Sequence, residues 1–113
     1  MTAKPAIAAS VLSCDPANFR TPVGEMMRAG VDWVHFDVMD GQFVPPITFG
    51  HELVASLRTL GETPFEAHLM TLTPEAHFKA FVDAGCGRVI FHAEDSTAGM
   101  EAVGDILTLS GRR

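Results

Sequence analysis

Short apolar stretches alternate with helical ones four times along the chain. Ala6-Ile7-Ala8-Ala9-Ser10 reads as a first strand. Asp15 offers an N-cap with Pro16 at the first helical position. Pro22 interrupts that helix, so the pattern predicts a short turn and a second start at Thr21, with Pro22 leading. Val23, Met26 and Met27 give the apolar face, and Gly30 the stop. A second strand is predicted from Trp33 to Met39, then a long loop from Asp40 to Thr48. The helix after it ends near Leu60, with Leu53, Val54, Leu57 and Leu60 at helical spacing. A third strand runs from Phe65 to Leu69. Thr73-Pro74 is another cap-plus-proline start, Phe78, Phe81 and Val82 form a buried stripe, and Gly85 ends it. The fourth strand is predicted from Arg88 to His92. A last helix, weakened by Gly99 and Gly104, carries Met100, Val103, Ile106 and Leu107. Strands alternating with helices imply an α/β fold: four parallel strands in order, with helices on one face.

Composition narrows the function more than the fold. A length of 113 residues allows one domain, 1–113, with a modest core. Fourteen acidic against eight basic side chains leave a net charge of −6, and no basic run appears, which argues against nucleic acid as a partner. The apolar runs are strand-sized, far below the ~20 residues of a membrane span, so no membrane partner is expected. Met1-Thr2-Ala3-Lys4-Pro5 carries no apolar leader. Cys14 and Cys86 form neither a CxxC pair nor a disulfide framework and read as reduced, partly buried thiols. Together these features read as cytoplasmic.

Strand alternation exposes the chemistry. Val34, Phe36 and Val38 share one face of the second strand, and His35, Asp37 and Met39 the other. The third strand sets Phe65, Ala67 and Leu69 against Glu66, His68 and Met70. The fourth sets Val89, Phe91 and Ala93 against Ile90, His92 and Glu94. The polar residues fall toward the C-terminal ends of the strands, where parallel α/β folds bind substrates, and Ser10 belongs to the same rim. Burying an unpaired carboxylate costs several kcal/mol, so Asp37 needs a partner. Two residues two apart on one strand project side by side, and a His on the next strand closes a third corner. His35, Asp37 and His68 thus form a candidate site for one divalent Zn, Fe, Mn or Co ion. The same pattern also fits satisfied core histidines, with Asp37 capping the loop that follows. Glu66 reads as a buried partner for a ligand, and His92 with Glu94 as supporting rim residues. His51 and His77 read as solvated surface, Trp33 as packing, and Gly41 as a positive-φ turn residue.

The stretch His35-Phe36-Asp37-Val38-Met39-Asp40-Gly41-Gln42-Phe43-Val44-Pro45, continuing to Thr48-Phe49-Gly50, resembles the signature of ribulose-phosphate 3-epimerases. Ser10-Val11-Leu12-Ser13 and His68-Leu69-Met70 resemble it too, in the same order, so the motif likeness covers roughly Pro5 through Glu94. The resemblance implies a (β/α)₈ TIM barrel and movement of a proton at C3 of a ketopentose phosphate, converting D-ribulose 5-phosphate into D-xylulose 5-phosphate. It implies that His35, Asp37 and His68 are three of four protein metal ligands and that Asp37 is one of two acid/base carboxylates. It also implies that Ser10 and His68 meet the substrate and that Met39 and Met70 wall the reacting carbons. A proton alpha to a ketone is weakly acidic, so its removal calls for a positioned carboxylate and stabilisation of charge developing on oxygen.

A barrel of this type takes eight strand-helix units and typically ~250 residues. The pattern here supplies four in 113 residues, so a half barrel is expected. The fourth ligand, which is also the opposing acid/base Asp, and the Gly-rich phosphate turns belong to the family's second half. Asp83, Asp95 and Asp105 match none of its motifs. After Glu94 the sequence also loses the likeness, which suits a truncated or frameshifted reading frame. Pro46-Ile47 and Thr21-Pro22 read as loop variation. Four functions follow: an epimerase polypeptide acting on a small sugar phosphate, an inactive or merely metal-binding half barrel, a scaffold reusing the half barrel, or a ketohexose-6-phosphate 3-epimerase. Unpaired strand edges rich in Ile, Val and Phe predict self-association.

Overall fold

The computed structural model describes residues 4–95; the helix expected through Met100 and Leu107 lies outside them. Four parallel strands, β1 (Ala8–Ser10), β2 (Trp33–Met39), β3 (Phe65–Met70) and β4 (Cys86–Phe91), pair in the order β1-β2-β3-β4. Helices α1 (Arg20–Ala29), α2 (His51–Leu57) and α3 (Phe78–Asp83) alternate with them. Short 3₁₀ turns follow α2, precede α3 and follow β4.

Alternation along β2 sorts its two faces. Val34, Phe36 and Val38 are buried, whereas His35, Asp37 and Met39 remain partly open. The buried face packs on Val23 of α1, Val54 and Leu57 of α2, and Phe78 and Phe81 of α3. Phe36 and Phe65 meet edge to face at 5.0 Å, a favoured aromatic arrangement. The helices therefore cover one face of the sheet, and the polar parity of each strand is turned to the other.

Local details depart from the pattern in instructive ways. Asp15 does not start a helix: its Oδ1 accepts the Ala17 N–H at 2.9 Å and closes a turn. Helix α1 begins at Arg20, with Asn18 Oδ1 accepting from Thr21 N–H, so Thr21-Pro22 lies in the first helical turn and not in a loop. Gly30 stops α1 at φ +83°. Thr73 takes a left-handed φ of +50° and makes no side-chain cap; Pro74 behind it opens a 3₁₀ turn instead. Strand β4 starts at Cys86 and not Arg88, and it carries a bulge against β3: Phe65 pairs with Cys86, but Glu66 pairs with Arg88. One extra residue restores parity, so Cys86, Val89 and Phe91 all face the core while Arg88 faces the other side. Both cysteines are free thiols, and burial pushes Cys86 up to about 12. Among the described residues, no helix is long and apolar enough to cross a membrane.

Candidate metal centre

Glu66 is the anchor of the polar face. It is 3% exposed; its Oε1 lies 2.6 Å from His35 Nδ1, and its Oε2 accepts from Arg88 Nε at 2.7 Å. Burial pushes its carboxyl pKa up, but the bonds to His35 and Arg88 outweigh this and hold it below the usual carboxylate value. An ionised Glu66 has no proton to give, so His35 donates from Nδ1, and in the neutral ring Nε2 would keep its lone pair. That nitrogen faces Asp37 Oδ1 at 3.0 Å.

Register brings in the third corner. Asp37 and His68 are direct neighbours across β2 and β3, and His68 Nδ1 stands 3.5 Å from the same Oδ1. Burial pushes the His68 pKa down, Asp37 pulls it up, and His92 and His35 push it down again; the net direction is down, favouring the neutral ring that binds metals. One ligand atom from each of His35, Asp37 and His68 lies within 4.8 Å of the others. Two imidazole nitrogens and a carboxylate oxygen fit a divalent transition ion, and the Glu66 bond already turns one of them the right way.

The other sequence-predicted residues gather at the same rim. Ser10 donates its hydroxyl to Asp37 Oδ2 at 3.0 Å and accepts the Leu12 N–H at 3.1 Å. Met39 and Met70 are register partners at the ends of their strands. His92 follows β4 directly, with its Nε2 3.0 Å from His68 Nε2. His51 and His77 are exposed, as their helical positions suggested.

Asp37 is not the loop cap. That work falls to Asp40, whose Oδ1 accepts from Gln42 and Phe43 N–H and whose Oδ2 accepts from Leu72 N–H. Gly41 takes φ +75° in this turn. Two contributors escaped the sequence reading. Arg88 holds Glu66 and lies over the Trp33 ring, 4.0 Å from its centroid; its parity with Ile90 and His92 was the available signal. Thr48 ties down the end of β2, donating to the Asp37 carbonyl at 2.8 Å and accepting the Met39 N–H at 2.9 Å. Thr48 belongs to the signature motif, but the motif does not tell that it ties down this strand end.

A curated ribulose-phosphate 3-epimerase of Schizosaccharomyces pombe is 44% identical over 91 residues, covering 78% of this chain and 40% of its own length. Those of Rhodobacter capsulatus and Bacillus subtilis are 42% and 39% identical, each over 88 residues, with 78% of this chain and 39% and 41% of their own lengths covered. The chain thus spans about 40% of the length of these relatives. A crystal structure of mandelate oxidase superposes with a TM-score of 0.59 at 18% identity, over 96% of this chain and 40% of that one, a likeness of fold alone. The sequence profile described as the ribulose-phosphate 3 epimerase family matches residues 6–111, which corrects the expectation that the likeness is lost after Glu94. On that match over nearly its whole length, the chain belongs to the ribulose-phosphate 3-epimerase family.

Proposed function

We propose that the four strands and the three helices between them belong to half of a (β/α)₈ barrel whose activity is the 3-epimerisation of ribulose 5-phosphate, with one divalent ion (Zn, Fe, Mn or Co) held by His35, Asp37 and His68. The convergence of those three ligand atoms within 4.8 Å on adjacent parallel strands carries the reading. The ion, when bound, would polarise the substrate's oxygens and so acidify the neighbouring C–H.

The rest is work for the side chains. Asp37 turns Oδ1 toward the two imidazoles and Oδ2 toward Ser10. Its two oxygens thus serve different ends: one belongs to the ligand set, and the other is the base for the C3 proton. The Ser10 hydroxyl restrains that second oxygen and can turn to the substrate in exchange. Met39 and Met70 flank the rim with bulky apolar groups that exclude water without offering a competing acid.

Inversion needs a carboxylate on each side of the carbon. Among the described residues, Glu66 is spent on His35 and Arg88, and both oxygens of Asp40 accept loop amides. The 113-residue chain, metal-loaded and incubated with ribulose 5-phosphate in D₂O, is therefore expected to exchange deuterium into C3 but to form xylulose 5-phosphate no faster than free metal ion. Asp37→Asn should abolish the exchange. Exchange no faster than with free metal, or exchange that survives in Asp37→Asn, would overturn the role of Asp37.

A further inference from the structure

His68 has a polar neighbour at both ring nitrogens, and only one placement of its proton leaves it able to hold a cation. Its Nδ1 faces Asp37 Oδ1 at 3.5 Å, and its Nε2 faces His92 Nε2 at 3.0 Å. A neutral imidazole carries one proton. With that proton on Nδ1, His68 donates to Asp37 and the corner is closed to a metal. With it on Nε2, His68 donates to His92, and the Nδ1 lone pair joins Asp37 and His35. The second arrangement requires His92 to accept at Nε2, and hence to carry its own proton on Nδ1.

The surroundings of His92 favour that state. Its Nδ1 lies 3.4 Å from Glu94 Oε1, an acceptor-only group when ionised. One flank of its ring meets Phe43, with centroids 4.9 Å apart, and the ring stacks near His68 at 5.1 Å and 22°. Phe43 is itself held by the Asp40 turn. His92 thus has its Nδ1 side toward a carboxylate and its Nε2 turned toward His68. Glu66 performs the corresponding task for His35 by accepting from Nδ1.

We propose that His92 is a positioning residue for His68: by accepting its Nε2–H, with Glu94 behind, it presets before any ion arrives the tautomer that turns the Nδ1 lone pair toward Asp37. The inference rests on the metal reading of His35, Asp37 and His68, but the hydrogen bond is measurable without metal. Long-range ¹H–¹⁵N correlation spectra of the metal-free chain at about pH 8, above the ordinary histidine range, should show His68 protonated at Nε2. His92→Phe keeps an aromatic ring and removes the acceptor; His68 should then protonate at Nδ1, with zinc affinity by titration calorimetry about tenfold weaker. His92→Gln, which restores an acceptor oxygen, should recover both. Protonation of His68 at Nδ1 in the metal-free wild type would overturn the proposal, and that spectrum decides even if His92→Phe does not fold. So would an unchanged tautomer and affinity in His92→Phe, or a metal-bound shift at His92 Nε2 in the zinc-loaded wild type, which would make His92 a ligand. A wild type with the expected tautomer that binds no zinc counts against the metal centre and not against the hydrogen bond.

Discussion

Replacing His68 by alanine takes one imidazole from a cluster of three donors and leaves the fold's buried face untouched. The expected loss in affinity for a divalent transition ion is at least tenfold, since losing a ligand must exceed the effect of losing a ligand's partner. Titration calorimetry on the folded variant measures it; unchanged stoichiometry and affinity would remove His68 from the site. Asp40 offers a test by pH. Its carboxyl pKa is lowered by the amide of Leu72 first and then by that of Gln42; desolvation opposes them, and the amides of Phe43 and of Asp40 itself add less. A carboxyl lowered on folding contributes stability above its unfolded value, and that contribution is lost as pH falls through the folded value. The Leu72 amide resonance should therefore titrate with a midpoint below ~3.9, the ordinary aspartate value. A midpoint at or above that value would mean that Asp40 does not hold the loop in solution.

Among the elements, the turn from α3 into β4 leaves no room for a side chain at its glycine. Gly85 sits at φ +107°, and a Cβ there would lie 2.5 Å from Arg58 Cδ. Arg58 cannot simply yield. Its guanidinium covers Phe65 at 3.7 Å and donates to the carbonyls of Gly61 and Thr63. Gly85→Ala should thus cost backbone strain of about 1–3 kcal/mol, in addition to any loosening of Arg58. A urea-unfolding midpoint equal to that of the wild type would refute this. Strand β2 shows why some elements are legible from sequence: unbroken alternation from Trp33 to Met39 allows one register of burial, and the structure has those bounds. Asp15 and Thr73 show the reverse. An Asp or Thr ahead of proline can cap a helix or close a turn, and the choice depends on packing further along.

At the scale of the whole molecule, the described sheet ends in β1 on one side and β4 on the other, each paired to a single neighbour. Ile7, Leu12, Ile47, Leu72 and Ile90 are exposed. Open strand edges beside exposed apolar groups recruit other chains. The 113-residue chain is expected to show concentration-dependent self-association in sedimentation velocity at micromolar loading. A single monomeric species across a hundredfold range of concentration would disprove it.

What the sequence determined by itself is the alternation: which residues of β2, β3 and β4 share a face, and hence that His35, Asp37, Glu66, His68 and His92 lie on the side away from the helices. Side-chain parity is a local property of extended backbone, so one strand's residues suffice to read it. The tertiary structure alone decided who meets whom. The β3–β4 bulge sets Arg88 opposite Glu66, the β2–β3 register sets Asp37 beside His68, and the loop after β2 brings Phe43 onto His92. Those are relations between strands, fixed by hydrogen-bond register and by packing that no single segment contains. The direction of a hydrogen bond at His68 therefore depends on three segments at once.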